Sequence, residues 1–171
     1  MKRPYEEMMK IAQSVEAELS PHCERIQIAG SLRRKCDEIG DIEIVCIPGP
    51  YEIGMFASGI AKVCNQWKCI KGNFHAEKNG KKVRYTQREM EDGTKIDIFI
   101  ATPENWGYIL AIRTGSAEFS KTLAKQWKRK GFHGKDGMLH RTITGKLIVV
   151  PEEEYLFQLI GLNWVEPEDR K

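Results

Sequence analysis

The run GSLRRKCDEIGDIEIV sets Asp41 and Glu43 on either side of Ile42, a few residues after Gly30, Ser31, Arg33 and Arg34. If residues 41–47 form a strand, positions i and i+2 share a face. The two carboxylates then project together, and Ile42 and Ile44 turn to a core. Paired carboxylates repel and raise a pKa unless a cation sits between them. Mg²⁺ relieves that repulsion because it takes oxygen ligands in octahedral geometry. Asp97, the single acid in the apolar run KIDIFI, supplies a third ligand if its strand lies beside that of Asp41. Three acids so placed suit a two-metal site, with ions about 3.5–4 Å apart holding the attacking and leaving oxygens of a phosphoryl transfer. The same alternation also describes a half-exposed sheet with no metal.

The residues upstream supply the opposite charge. Gly30-Ser31 sits at a predicted strand end, where glycine permits a tight turn with free backbone N–H groups and a following helix adds its positive dipole. Ser31 adds a hydroxyl. Arg33 and Arg34 carry planar, permanently charged donors that match phosphate oxygens. A capped helix with two solvated arginines would read the same way. Together, a phosphate grip and a metal grip suit a polyanionic ligand that arrives with its own cation.

These residues need elements to hold them. Met8, Ile11, Ala12, Val15 and Leu19 recur at helical spacing, which predicts an amphipathic helix over 4–19, stopped by Ser20-Pro21. Strands are predicted at 25–29, 41–47 and 67–71, with a helix over 52–64. Asn79-Gly80 and Asp92-Gly93 read as hairpin turns joining strands 74–78, 82–90 and 94–101. Residues 104–112 read as a helix, broken by Thr114-Gly115-Ser116. A second helix over 117–130 puts Phe119, Leu123 and Trp127 on one face, with Gly131 as its stop. Its other face is basic: Lys121, Lys125, Lys128, Arg129 and Lys130. That face binds polyanions or is simply solvated. Short strands near 138–142 and 146–149 and a helix over 152–160 complete an α+β order.

Bulk properties limit the classes. The 171 residues are 41% hydrophobic and 30% charged, with a net charge of +3. This is an ordinary globular composition, so local clustering must decide about a nucleic-acid partner. The five cysteines form no Cys-x-x-Cys pair, and they read as reduced thiols of an intracellular protein. No secretory signal or membrane-length apolar run is visible, so a location in cytoplasm or nucleoid is expected, with no membrane partner. No heptad seam occurs, and a monomer is expected.

GSLRRKCDEIGDIEIV closely resembles the palm signature of the family X DNA polymerases, the DNA polymerase beta type of nucleotidyltransferase. KRPYEEMMKIAQSVEAEL resembles the helix before that palm motif, and Lys95-Ile96-Asp97-Ile98 the strand bearing the third acid. Arg113-Thr114-Gly115-Ser116 with Phe119 is similar to the family's nucleotide-sugar motif, and Leu162 to Arg170 to its closing segment. The resemblance implies a nucleotidyltransferase palm, a mixed sheet with helices on one face, over residues 1–105. It implies a small C-terminal α/β thumb for dNTP selection over 106–171.

Roles follow from the same resemblance. Asp41, Glu43 and Asp97 would hold two Mg²⁺ ions, with Mn²⁺ able to substitute, and Asp97 would serve the primer 3′-hydroxyl. Lys95 would touch that acid or the primer. Gly30, Ser31, Arg34 and Gly40 would hold the triphosphate. Thr114, Gly115 and Ser116 would bound the sugar, in a turn that often carries a cis peptide in the family, and Ser120 would reach the base. Lys121, Lys125, Lys128 and Arg129 would contact DNA. The implied activity is addition of dNMP to a primer 3′-hydroxyl on primer–template or gapped DNA, in short-gap repair synthesis.

The sequence departs from the family pattern at several points. Glu43 stands where the polymerases usually have Asp. Ile112-Arg113 replaces an aromatic pair that excludes a 2′-hydroxyl, so Arg113 is a candidate phosphate or template contact. Ala117 and Ala124 replace polar residues. The lyase and helix-hairpin-helix domains are expected to be absent, and with them lyase activity. The alternatives are a template-independent or ribonucleotide-adding transferase, and a non-catalytic DNA-binding module.

Overall fold

The computed structural model describes residues 2–49, 59–72 and 84–171. The chain divides into two compact units, one ending at Ala101 and one beginning at Thr102. The sequence reading set its boundary at 105/106.

In the N-terminal unit, helix α1 (Tyr5–Leu19) starts after Pro4 and carries Glu6 and Glu7 in its first turn. Proline and acids both suit a helix N-terminus, through the fixed φ and the positive end of the dipole. Met8, Ala12, Val15 and Leu19 are buried. Ser20-Pro21 ends the helix in one 3₁₀ turn, Ser20–His22. Strand β2 (Cys23–Ile28) follows, then helix α2 (Gly30–Arg33), strand β4 (Ile42–Pro48) and helix α3 (Gly59–Cys64). Strands β5 (Lys68–Lys71), β6 (Tyr85–Glu89) and β7 (Lys95–Ile100) complete the sheet. A short pair that the sequence did not suggest, β1 (Arg3–Pro4) with β3 (Glu38–Ile39), ties the start of the chain to the segment before Asp41.

The sheet order is β2-β4-β7-β6-β5. It is mixed: β4 and β7 run parallel, and the other pairs are antiparallel. Ile42, Ile44, Ile96 and Ile98 form one face and share a core with α1 and with Ile60 and Cys64 of α3. Glu43 and Asp97 belong to the other face by strand alternation. The Asp92-Gly93 hairpin forms as expected. Gly93 sits at φ +81, and Asp92 Oδ1 accepts the Thr94 N–H at 2.9 Å. The expected helical residues 52–58 and the Asn79-Gly80 hairpin with strand 74–78 lie outside the described residues.

The C-terminal unit holds α4 (Trp106–Thr114), α5 (Ala117–Arg129), β8 (Phe132–Lys135), β9 (Met138–Arg141), β10 (Leu147–Ile148) and α6 (Glu153–Ile160). Its core gathers Tyr108, Leu123, Trp127, Phe132, Leu139 and Phe157. Gly131 (φ +78) and Gly161 (φ +71) adopt the left-handed conformation that stops α5 and α6.

Two expectations need correction here. Strand β8 is absent from the sequence reading. Asp136 (φ 52) and Gly137 (φ 73) form a two-residue turn that pairs it with β9, the positive-φ geometry that favours hairpins. Helix α4 runs two residues beyond the predicted 104–112, to Thr114. The Thr114 backbone remains helical, and the extended Gly115 and Ser116 make the break.

Candidate active site

The N-terminal unit brings Glu43 and Asp97 onto one face of the sheet, with Asp41 just ahead of β4. The parallel register sets Glu43 opposite Asp97 and Ile42 opposite Ile96. Opposed residues share a face, as do residues two apart. Asp41 stands one residue ahead of β4, and its carboxyl feels the charge of Asp97 on the adjoining strand. Asp97 is 8% exposed, and Asp41 is half-buried.

Electrostatics register this crowding. Burial pushes the Asp41 carboxyl up, and the charge of Asp97 pushes it further. Lys95 and Arg34 offset part of that rise. Arg34 and Lys95 thus lie within electrostatic reach of Asp41, one from the end of α2 and one from the start of β7.

Backbone geometry positions Glu43. Gly30 has φ +61, and a Cβ built there would lie 2.0 Å from Glu43 Oε2. The turn after β2 is therefore closed over the glutamate, and only glycine fits. Ala29 N–H donates to the Glu43 carbonyl at 2.8 Å, locking the two segments. Helix α2 is a single turn of four residues. The helix dipole expected to assist anion binding is correspondingly small, so the anion-binding candidates on this turn are the side chains of Ser31 and Arg34. Gly40 is exposed, and a Cβ there would meet nothing within 4 Å.

Tyr85 is a site residue that the sequence reading missed. It donates its phenol proton to Asp97 Oδ1 at 2.7 Å. Tyr85 pairs across the strands with Phe99, and their rings stack at 5.0 Å. Phe99 is two residues from Asp97, so the stack aims the hydroxyl at the acid diagonally across the strands. The sequence alone carried no signal for it: a two-residue turn at Asp92-Gly93 would set Tyr85 opposite Ile100, and the longer loop closed by Met90 and Thr94 sets it opposite Phe99.

The donor chemistry of Asp41, Glu43 and Asp97, three carboxylates with Asp41 raised from its ordinary value, fits a hard divalent cation. The side chains are not drawn into a cage. Among the described residues no three His, Cys, Asp or Glu side chains are arranged to hold a metal ion.

The C-terminal unit holds the remaining candidates. Thr114 is fully buried at the end of α4. Gly115 packs against Phe119 and Ser120, and a Cβ there would lie 2.8 Å from Phe119 Cδ1. Ser116 caps α5, its hydroxyl accepting the Phe119 N–H at 3.1 Å. The family's cis peptide does not occur: no described peptide bond is cis. The trans turn lets Ser116 N–H donate to the Arg170 carbonyl at 3.1 Å. Ser120 Oγ donates to the Ile112 carbonyl at 2.9 Å, which turns its proton back into the fold. Arg113 lies near enough to Tyr108 for its charge to oppose the burial that raises that phenol. Lys121, Lys125, Lys128 and Arg129 are all exposed, and Lys121 pairs with Glu118 at 2.7 Å.

Arg170 anchors this unit. It is fully buried, donates to Glu153 at 2.6 Å and to the Val165 carbonyl at 3.0 Å, and lies over the Trp164 ring at 4.7 Å.

Residues 109–171 match the sequence model of the DNA polymerase beta thumb. The C-terminal unit is therefore similar to that thumb, and the similarity supports a polymerase-related, DNA-binding protein. Comparison with curated proteins gives no match. No helix among the described residues is long and apolar enough to cross a membrane.

Proposed function

We propose that this chain is a nucleotidyltransferase of the DNA polymerase beta type that adds dNMP to a primer 3′-hydroxyl. One observation carries the reading: the β4–β7 register that sets Glu43 opposite Asp97, with Asp41 in electrostatic reach of Asp97, in a chain whose C-terminal unit matches a polymerase thumb. The bond from O3′ to the α-phosphorus forms, the bond to the bridging oxygen breaks, and pyrophosphate leaves. Asp41, Glu43 and Asp97 would hold Mg²⁺, with two ions in the full site. Bound there, the metal supplies charge neutralisation and Lewis-acid activation.

The chain's own groups do the rest. Ser31 and Arg34 bind triphosphate oxygens, Arg34 through planar donors that match them. Asp97 takes the 3′-hydroxyl proton, and Tyr85 holds its carboxylate in place. The Gly115-Ser116 turn bounds the sugar. The lysines of α5 and Arg129 neutralise DNA phosphates, which gives affinity a steep salt dependence.

The test is primer extension on a one-nucleotide-gapped duplex, with each dNTP and each NTP singly, beside Asp41→Asn. Templated addition that vanishes in the variant is the expected result. Untemplated or ribonucleotide addition would point instead to a tailing transferase, a reading motivated by Arg113 in place of an aromatic. DNA binding without any addition would overturn the enzymatic reading.

A further inference from the structure

Among the described residues the large exposed hydrophobic side chains are Ile70, Ile143, Leu147, Val149 and Tyr155. Three of these five fall within the stretch 143–149. Ile143 is 93% exposed, at the tip of the turn between β9 and β10. An isolated exposed apolar residue is ordinary. This one is held rigidly. Arg141 N–H donates to the Lys146 carbonyl and Gly145 N–H to the Arg141 carbonyl, both at 2.8 Å. Lys146 N–H donates to Thr144 Oγ1 at 3.3 Å. Thr142 N–H donates to the Gly131 carbonyl at 2.8 Å, which fastens the turn to the segment leaving α5. A tip ordered in advance loses little entropy when it meets a partner.

The surroundings of the tip are cationic. Arg141 and Lys146 flank it in sequence, and Arg141 lies over the Phe132 ring at 4.5 Å. The bond to Gly131 places the tip next to the chain that follows Lys128, Arg129 and Lys130. Asp136 is the one acid between Lys121 and Val149. It occupies the turn after Lys135, whereas Ile143 follows Arg141 at the opposite end of the β8–β9 ladder.

We propose that this turn is a nucleic-acid wedge. Ile143 packs into an opened base step or onto an exposed base-pair face, Leu147 and Val149 extend the apolar contact, and Arg141, Lys146 and the end of α5 hold the flanking phosphates. Nucleic acid fits this pattern because its base faces are apolar surfaces framed by anionic charge. Apolar side chains set among basic ones are how proteins enter a base step. The inference rests on the reading of this chain as a DNA-binding protein, not on its catalysis.

The test is anisotropy of a labelled gapped duplex with the full chain, together with 2-aminopurine fluorescence at the steps bordering the gap. Because Ile143 is exposed, Ile143→Ser should melt like wild type. It should bind about tenfold more weakly, leave the salt slope unchanged, and lose the 2-aminopurine signal. Ile143→Leu should restore both. Lys146→Gln should lower the salt slope by about one. Wild-type affinity and signal in Ile143→Ser would overturn the wedge. So would binding to phosphatidylcholine–phosphatidylserine vesicles that depends on Ile143 while DNA binding does not. If wild type binds in this Ile143-dependent way but adds no nucleotide, the catalytic reading fails and the wedge stands.

Discussion

Gly30→Ala should damage activity more than stability. Gly30 has φ +61, where a side chain costs about 1–2 kcal/mol. The new Cβ would lie 2.0 Å from Glu43 Oε2, 2.9 Å from Cδ and 3.1 Å from Cβ. The carboxylate can swing away, but Glu43 Cβ cannot follow, because Ile42 and Ile44 on either side are fully buried. The clash is thus relieved by moving the functional group itself. Overpacking adds about 1 kcal/mol after that relaxation, for a total near 2–3 kcal/mol, a melting shift of order 10 °C in a unit of this size. A carboxylate displaced by about 1 Å can slow the reaction by about 100-fold. The assay is thermal melting beside single-turnover gap filling, well below the transition. Gly40→Ala is the control: its Cβ meets nothing within 4 Å, so stability should stay within about 0.5 kcal/mol. A Gly30→Ala protein with the wild-type single-turnover rate would refute the role given to Glu43. An unchanged melt would refute the strain.

Four further outcomes are expected. Tyr85→Phe keeps the stack on Phe99 but removes the hydrogen bond to Asp97; the melt should hold while the single-turnover rate falls about tenfold, and an unchanged rate would remove Tyr85 from the site. Glu153→Gln leaves the buried Arg170 charge uncompensated and should cost about 3–5 kcal/mol in chemical denaturation, whereas a loss below about 1 kcal/mol would mean the pair is not buried as described. Asp92 is held near pKa about 2, against an ordinary 3.8, by the Thr94 N–H and by Arg3. Its contribution is present above 3.8 and lost as pH falls towards 2, so Asp92→Asn should flatten that part of the acid melting profile. Asp41 has a raised pKa, so ionising it costs stability as pH rises through that value. Asp41→Asn should therefore raise the metal-free melting temperature at neutral pH, and added Mg²⁺ should stabilise wild type but not the variant.

Much of the scaffold was legible. α1, α5 and α6 carry apolar residues at helical spacing and end at Ser20-Pro21, Gly131 and Gly161, all local signals. Asp92-Gly93 marked its hairpin for the same reason. Asp136-Gly137 is an equal signal, but the strand before it, Phe-His-Gly-Lys, lacks the apolar alternation that would have drawn attention to it. Thr114-Gly115-Ser116 reads as a break of three residues, yet Thr114 stays helical and only Gly115 and Ser116 are extended.

By itself the sequence determined that Glu43 lies on the face opposite Ile42 and Ile44, because alternation along a strand is a property of the backbone. It also determined where positive charge would accumulate, since few acids interrupt residues 121–146. Only the tertiary structure decided that Asp97 stands opposite Glu43, because the parallel β4–β7 register joins segments more than fifty residues apart. It alone put Gly30 against the Glu43 carboxylate and Tyr85 against Asp97. It alone placed the exposed Ile143 tip beside the end of α5. Those placements depend on how sheet and turn pack. Packing is set by the fit of many side chains at once, which no local pattern in the chain records.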